Sequence, residues 1–516
     1  MSGSAMDRRH LLRLGGALST LGVAAPFAMQ LAAAGSAAGQ AAGDYKALVC
    51  VFLFGGNDAH NMVLATDTDS WGRYFATRNT GADPIALLPV GTTPTPVGQV
   101  NSITGRVSSL GSPEAWGGVL PIAPKTAQKI PDGTNAASRT FALHPFMAPL
   151  QTLFGQGRLA VLANVGTLIQ PTTKGQYQAK SVGIPTSLFS HNDQQSTWQA
   201  LSTEGARTGW GGRFADLTAS MNGGNSLFTA VSASGNAVFL SGQSVVQYQL
   251  STGSQPAVVI SGQQGSSLFG SSLGPSRVKD LITDTSLSSN FAADYSTVVA
   301  RSISAATTVN GAFTQPIVSG VPGAPAYTNP LTQRVETNTL ALQLQTVARM
   351  IAASSLLGVK RQVFFVSLGG WDTHDFQNTA QPNQLAKVAH ALSYFDGALS
   401  NIGGIDRRAQ VTTFTASDFG RSFTTNGDGT DHAWGAHHFI MGGAVNGGDI
   451  YGQYPTLGVD VNGFNNPDNI NGALIPTTSV DQYGATLGRW FGIGDADIDV
   501  IFPRARNFAT KYLTFV

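Results

Sequence analysis

Residues 46–54 read KALVCVFLF, an almost continuous apolar run, and Gly55-Gly56-Asn57-Asp58 follows it at once. A run of this length without polar alternation is typical of a strand buried on both faces of a parallel sheet. Runs of the same character lie at 158–165, 361–367 and 409–415. These four runs predict the central strands of the fold.

Segments with helix-forming residues lie between and after these strands, at 145–156, 333–358, 383–400 and 480–491. Strands that alternate with helices predict an α/β fold with a mostly parallel central sheet flanked by helices. The composition changes at about 216–330, where Ser, Gly, Thr, Ala and Val dominate. We interpret that region as a less regular insertion that forms a cap over the core.

The N-terminus has the pattern of an export signal. Arg8 and Arg9 precede a small-residue, apolar stretch at 14–34. A membrane anchor would need roughly 20 strongly apolar residues, whereas this stretch is rich in Gly, Ala, Ser and Thr. The pattern predicts a twin-arginine signal and linker over 1–42, a translocase partner during export, and a mature domain over 43–516 without a stable membrane span.

Composition narrows the classes of partner and compartment. Only 11% of the residues are charged and the net charge is +1, so a nucleic-acid partner is not expected. The polar, uncharged loops suit a periplasmic or secreted protein. Cys50 is the single cysteine, which excludes an intramolecular disulfide and agrees with folding in a reducing cytoplasm before export. Its apolar surroundings predict a buried core residue.

Metal-type ligands follow three of the predicted strands. Asp58 follows the first, Asp372 and His374 follow the run at 361–367, and Asp418 follows the run at 409–415. The carboxyl ends of parallel strands meet at one edge of a sheet, where ligands bind. His432 lies on a loop short enough to join them. Together these side chains predict a site for one or two divalent cations, with zinc, manganese and calcium not distinguished.

Each motif has a structural alternative. An aspartate after a strand is also a common helix N-cap, and this interpretation stays open for Asp58. A single motif is therefore weak evidence, and the prediction of a metal site depends on the agreement of three strand ends. Carboxylates gathered at one edge would repel one another unless a cation offsets their charge.

The motifs GGNDAHN, GGWDTH, SDFGR and GTDHAWG, in this order behind a twin-arginine signal, resemble the domain-of-unknown-function 1501 family. That family is placed in the alkaline phosphatase and sulfatase superfamily. The resemblance extends from about Lys46 to the C-terminus. It implies an alkaline phosphatase-like sandwich and metal-dependent hydrolysis of phosphate or sulfate esters.

The resemblance also suggests which residues act. Asp58 matches the first aspartate of the superfamily, and Asp418 matches the aspartate of its Ser-Asp-His-Gly motif. Asp372 and His374 resemble a later pair of ligands, at a shorter spacing. His432 resembles the last histidine, for which His437 and His438 are alternatives. Phe419 stands where the motif carries a His or Asn ligand, which leaves the second metal position impoverished.

The segment at 187–195 lies where the superfamily places its nucleophile, so Ser190 is the candidate nucleophile and His191 a ligand or proton donor. A hydroxyl at a helix N-terminus beside a cation ionises more easily. A plain N-cap for Ser190 and a surface position for His191 are the alternatives. Arg421 is the candidate clamp for a phosphate or sulfate oxygen, with an ion pair as the alternative.

The leading hypothesis is therefore an exported metal-dependent ester hydrolase acting on a small-molecule or polymer substrate. The second hypothesis is a non-catalytic envelope or secreted binding protein that keeps the fold, with or without one structural metal. A third is an adhesin or scaffold that uses the Gly- and Ser-rich region.

Overall fold

The computed structural model describes residues 45–128, 139–223, 226–253, 256–257, 266–461 and 464–516. The predicted export signal, including Arg8 and Arg9, lies outside the described residues. Within them, no helix combines the length and the hydropathy that crossing a membrane requires.

The strands, in chain order, are β1 (Lys46–Leu53), β2 (Val63–Ala65), β3 (Leu120–Ile122), β4 (Phe141–Leu143), β5 (Leu159–Gly166), β6 (Ala230–Ser232), β7 (Tyr248–Gln249), β8 (Tyr327–Thr328), β9 (Val335–Glu336), β10 (Arg361–Leu368), β11 (Val411–Ser417), β12 (Ala436–Met441), β13 (Ile450–Tyr451), β14 (Asn469–Ile470), β15 (Ala473–Leu474) and β16 (Thr478–Ser479).

The α-helices are α1 (Thr68–Arg78), α2 (Pro113–Trp116), α3 (Ala148–Gly155), α4 (Lys174–Ala179), α5 (His191–Ala200), α6 (Trp210–Thr218), α7 (Gly274–Ile282), α8 (Asn290–Phe313), α9 (Pro316–Ser319), α10 (Thr339–Ala352), α11 (Gln377–Leu399), α12 (Val480–Phe491) and α13 (Asp495–Ile501).

A large sheet forms the centre of the molecule, with the strand order β13-β5-β12-β11-β1-β10-β6-β7 and β16 paired to β5. Strand β1 runs parallel to both β10 and β11, and among the described residues of this sheet only the pairings of β12 are antiparallel. The prediction of a mixed α/β fold with a mostly parallel sheet is confirmed. The four predicted strands are β1, β5, β10 and β11.

Helices cover both faces of this sheet. Alternate residues of β1 point to opposite faces. Val49 and Val51 belong to a core that also contains residues of α3, α10 and α11. Cys50 and Phe52 belong to a second core that includes residues of α6, α12 and α13. Cys50 is buried, as predicted.

The helix predicted at 480–491 has these bounds because both ends are capped. The Ser479 side chain accepts from the Asp481 N–H, and Gly492 adopts a left-handed conformation just after the last turn. The region predicted as an irregular insertion is more ordered than expected. It supplies β6 and β7 to the main sheet and contains the 24-residue helix α8. Its role as a cap stays a prediction.

Candidate metal centre

The register of the central strands brings the predicted motifs to one edge. Leu53 at the end of β1 pairs with Leu368 of β10 and with Ser417 of β11. The chain segments that follow these three residues therefore start side by side. Gly55 makes the close approach possible, because it has a φ of +121° and a Cβ there would lie 2.4 Å from the backbone nitrogen of Asp372.

Asp372 is the centre of a cluster of histidines that we call the Asp372 cluster, namely His191, Asp372, His374 and His432. Asp372 Oδ2 lies 3.5 Å from His191 Nε2, and Oδ1 lies 3.2 Å from His374 Nε2 and 3.4 Å from His432 Nε2. Candidate ligand atoms of His191, Asp372 and His432 all lie within 4.8 Å of one another. Two imidazoles and one carboxylate form a donor set that divalent transition metals accept.

Each histidine of the cluster is oriented by an oxygen on its far side. Nδ1 lies 2.7 Å from Asp418 Oδ2 in His191, 3.1 Å from Asp431 Oδ1 in His374, and 2.8 Å from the Phe189 carbonyl oxygen in His432. Because carboxylate and carbonyl oxygens accept, each Nδ1 is the donor. In the neutral rings, each Nε2 therefore carries a lone pair. This arrangement is typical of histidines that bind metals.

The cluster contains polar atoms whose bonding is incomplete. His191 Nε2 and Asp418 Oδ1 are buried without a hydrogen-bond partner. His374 Nε2 and His432 Nε2 are only 2.9 Å apart. When both rings are neutral, their lone pairs oppose each other unless a proton or a cation intervenes. The residues therefore fit a divalent cation.

The charges around Asp372 shift the pKa values in the cluster. The hydrogen bond from His191 to Asp418 raises the pKa of His191, assisted by the charge of Asp372. Burial lowers the pKa of His432. Burial alone would raise the pKa of Asp372, but the hydrogen bond and charge of Arg421 outweigh it, so this pKa lies below its usual value. At neutral pH, Asp372 is ionised and His432 is neutral, which are the states that bind a metal.

Helix α5 brings two side chains to Asp418. His191 opens the helix and Gln195 lies four residues later, so both point from the same face. Asp418 Oδ2 accepts from Gln195 Nε2 at 2.8 Å and from the Gly55 N–H at 3.2 Å, in addition to His191. Asp418 therefore holds His191 in place, a role that the sequence did not indicate for it.

Arg421 is committed to the cluster. Its buried guanidinium lies 2.7 Å from Asp372 Oδ1 and also donates to the carbonyl oxygen of Thr430. The ion pair considered as an alternative is present, although it is more buried than a surface pair. Phe419 packs its ring against His191 and His432, with centroids 4.8 and 4.6 Å apart.

Asp58 is not brought into the cluster. It is fully buried, with Oδ2 at 2.5 Å from Arg78 Nη1 and Oδ1 at 3.0 Å from Arg78 Nη2. Gln377 Nε2 donates to Oδ2 at 2.6 Å, and Oδ1 also accepts from the His60 N–H. The capping alternative for Asp58 is therefore observed, together with a buried ion pair.

The comparison with known protein families decides the relationship. A family described as "Protein of unknown function (DUF1501)" matches residues 45–502. The chain belongs to the DUF1501 family. No curated protein matches the chain in a sequence search.

The remaining predicted residues have separate places in this DUF1501 protein. Ser190 is the N-cap of α5, but its side chain makes no capping hydrogen bond. His437 and His438 are both buried in β12, outside the cluster. His437 accepts from the Asn164 N–H, and burial lowers its pKa well below the usual value. Burial lowers the pKa of His438 to about 3. His432 is thus the histidine that the structure brings to Asp372.

Sequence reasoning missed several residues around the site. Asp431 directly precedes the predicted ligand His432 in the sequence, and this adjacency could have identified it as a residue of the site. Gln195 was also accessible, because its four-residue spacing from His191 places both on one helical face. Arg78 lay at the far end of α1, and nothing in the spacing connected it with Asp58.

Proposed function

We propose that this DUF1501 protein is an exported metal-dependent hydrolase of phosphate or sulfate esters, with the Asp372 cluster as its active site. The observation that carries the proposal is the convergence of His191, Asp372 and His432, whose candidate ligand atoms lie within 4.8 Å of one another. The alkaline phosphatase-like architecture implied by the motif order belongs to this proposal.

The side chains of the cluster would divide the work of binding. His191, Asp372 and His432 would hold the cation, and His374 would stand beside His432 as a further ligand. A divalent cation in such a site acts as a Lewis acid on an ester oxygen. Asp418, Asp431 and the Phe189 carbonyl would fix the rings, so that little reorganisation is needed when a substrate binds.

Ser190 is the candidate nucleophile. Its hydroxyl lies at the N-terminus of α5, beside His191, and its side chain is not used for capping. The partial positive charge of a helix N-terminus favours ionisation of a hydroxyl at this position. Attack by Ser190 on phosphorus or sulfur would form a covalent ester with the chain and release the alcohol, and water would then hydrolyse that ester. The alternative is direct attack by water.

Arg421 would act through Asp372. Its guanidinium donates to Asp372 Oδ1 at 2.7 Å, so it keeps the carboxylate ionised and fixes its orientation. A direct contact of Arg421 with a phosphate or sulfate oxygen remains the proposal from the sequence.

Export through the twin-arginine route is part of the same proposal. Arg8 and Arg9 support it, and Cys50 is compatible with folding before export because it is buried and forms no disulfide. A periplasmic or secreted location follows from that route. The translocase would be a partner only during export.

A screen with an aryl phosphate, an aryl phosphodiester and an aryl sulfate tests the proposed reaction. Turnover of at least one ester should be lost on chelation and in Asp372→Asn, and should persist in Asp280→Asn. Asp280 is a suitable control because its pair with Arg277 spans 3.8 Å and both side chains are exposed. Loss of turnover in Ser190→Ala with metal content unchanged would assign the nucleophile, whereas full activity would favour direct attack by water.

Phe419 favours a second candidate function, a non-catalytic envelope or secreted protein with one structural metal. Its ring packs against two of the candidate ligands and is itself buried. A protein that binds one metal per chain but turns over none of the three ester classes would support this function.

A further inference from the structure

The carboxylates at the edge of the sheet have two kinds of partner. Asp372 faces histidine nitrogens and is half exposed, with 47% of its side chain accessible. Asp58 is fully buried and faces a guanidinium, with both oxygens within 3.0 Å of Arg78. A hydrogen-bonded route joins the two. Arg421 Nε donates to Thr430 Oγ1, Thr430 Oγ1 donates to Gln377 Oε1, and Gln377 Nε2 donates to Asp58.

The N–H donors of Arg78 are all used. Besides its bonds to Asp58, Arg78 donates to Asn61 Oδ1 at 2.9 Å, to the Phe423 carbonyl at 3.0 Å and to the Ser422 carbonyl at 2.8 Å. Because a guanidinium stays protonated and this one is saturated and buried, displacing it from Asp58 would leave a buried charge without a partner. The chain therefore supplies its own cation at Asp58.

The charges of the carboxylates that pair with Arg78, Arg421, His191 and His374 limit how many cations this group of side chains can hold. Asp58, Asp372, Asp418 and Asp431 supply the negative charges of the network, while Arg78 and Arg421 supply the positive ones. Four carboxylates against two guanidiniums leave an excess of two negative charges when the histidines are neutral. One divalent ion balances this excess, whereas a second would leave an equal positive excess in a partly buried site.

The surroundings of Asp418 do not complete a second donor set. Its Oδ2 oxygen already accepts three hydrogen bonds, Oδ1 is buried without a partner, and the ring of Phe419, the next residue, packs against His191. A phenyl ring contributes no ligand. Asp418 therefore serves the first cation by orienting His191 and does not, with Asp58, form a second site.

We propose that the chain binds one divalent cation, at His191, Asp372 and His432, and that the Asp58–Arg78 ion pair takes the place of a second. The inference rests on the metal site of the proposed function but not on its reaction. It divides the carboxylates predicted from the sequence into a ligand (Asp372), a positioning residue (Asp418) and a structural residue (Asp58).

Calorimetric titration of the chelator-treated, full-length chain with Zn²⁺ tests the proposal, and metal content per chain after dialysis gives a second readout. Zinc is the probe because imidazole and carboxylate donors suit it. We expect one tightly bound ion per chain. Binding should be lost in the double variant Asp372→Asn with His191→Ala and unchanged in His390→Gln, because the Nδ1 of His390 lies 3.1 Å from the side-chain nitrogen of Asn338 and His390 is not one of the candidate ligands.

The possible results separate this inference from the proposed function. Two tightly bound ions in the wild-type chain would overturn the inference and leave a metal-dependent hydrolase standing. No bound ion in parallel titrations with Zn²⁺, Mn²⁺ and Ca²⁺ would overturn both. Asp58→Asn should still bind one ion, and loss of that ion in a folded Asp58→Asn chain would also overturn the inference. The wild-type stoichiometry decides the question even where Asp58→Asn does not fold.

Discussion

Asp58 and Asp372 begin from similar positions, a few residues beyond neighbouring parallel strands, and have opposite surroundings. Asp58 is fully buried and saturated by Arg78 and Gln377. Asp372 is half exposed and faces three histidine Nε2 atoms. The position of an aspartate just after a strand brings its carboxylate to the edge of the sheet. The side chains that contact the carboxylate then decide whether it stabilises the fold or is free to bind a ligand.

The largest expected effect is on the free energy of unfolding, when Asp58 loses its partner Arg78. Arg78→Gln should lower the free energy of unfolding by about 3–5 kcal/mol, because it leaves Asp58 buried without its countercharge. Arg421→Gln should cost less, because Asp372 remains accessible to water. Urea denaturation measures both, with Arg277→Gln as an exposed control that should change stability by no more than about 0.5 kcal/mol. Equal losses in Arg78→Gln and Arg277→Gln would contradict the structural role of the Asp58 pair.

The next effect concerns the orientation of His191. Asp418→Asn keeps the shape of the side chain but removes the charge that holds the His191 ring, so zinc affinity should fall about 10- to 100-fold. Competition with a fluorescent zinc chelator measures the change. A fall much beyond this range would argue that Asp418 is itself a ligand, and an unchanged affinity would remove its role as a positioning residue.

The buried histidines near Asp58 extend the comparison to acid stability. His437 lies 5.7 Å from His60 between ring centroids, and burial holds the pKa of both well below 6.5 in the folded chain. Asp58 and Arg139 also act on His437. The unfolded chain takes up these protons near pH 6.5, so their contribution to stability is present above that pH and lost as the pH falls below it.

Each such histidine should add a slope of up to about 1.4 kcal/mol per pH unit below pH 6.5. Urea midpoints measured from pH 7.5 to 5.5 should therefore fall with pH, and His437→Gln should show a shallower slope than the wild-type chain. Parallel slopes in the two proteins would mean that His437 is not held neutral.

The smallest expected effect is the change in zinc affinity when one neutral hydrogen-bond donor, the side chain of Gln195, is removed. Gln195→Leu removes the 2.8 Å hydrogen bond to Asp418 but leaves the His191 and Gly55 donors in place. The loss of one such bond is worth about 0.5–1.5 kcal/mol, which corresponds to roughly a 2- to 13-fold loss of zinc affinity. A loss larger than that of Asp418→Asn would reverse the order of importance proposed for these side chains.

The sheet and the convergence of ligands could be predicted from sequence because both depend on local patterns. The apolar runs identified β1, β10 and β11, and parallel register then required Asp372 and Asp418 to start from one edge. The ordered strands within 216–330 were missed, because β6 and β7 are too short for periodicity to reveal them.

The division of labour among the carboxylates could not be predicted. It depends on Arg78, whose contact with Asp58 is made by the packing of α1 and has no sequence signal. The orientation of His432 could not be predicted either, because its partner, the Phe189 carbonyl, is a backbone group that any residue would supply. His191 was a candidate from its place before a helix, yet its link to Asp418 arises only when α5 packs beside β11.

X-ray diffraction from crystals of the zinc-bound chain, collected on both sides of the zinc absorption edge, tests the central claim most directly. The account predicts one anomalous peak per chain within bonding distance of His191 Nε2, His432 Nε2 and an oxygen of Asp372, with Arg78 still on Asp58. A peak at Asp58, with Arg78 displaced, would contradict it.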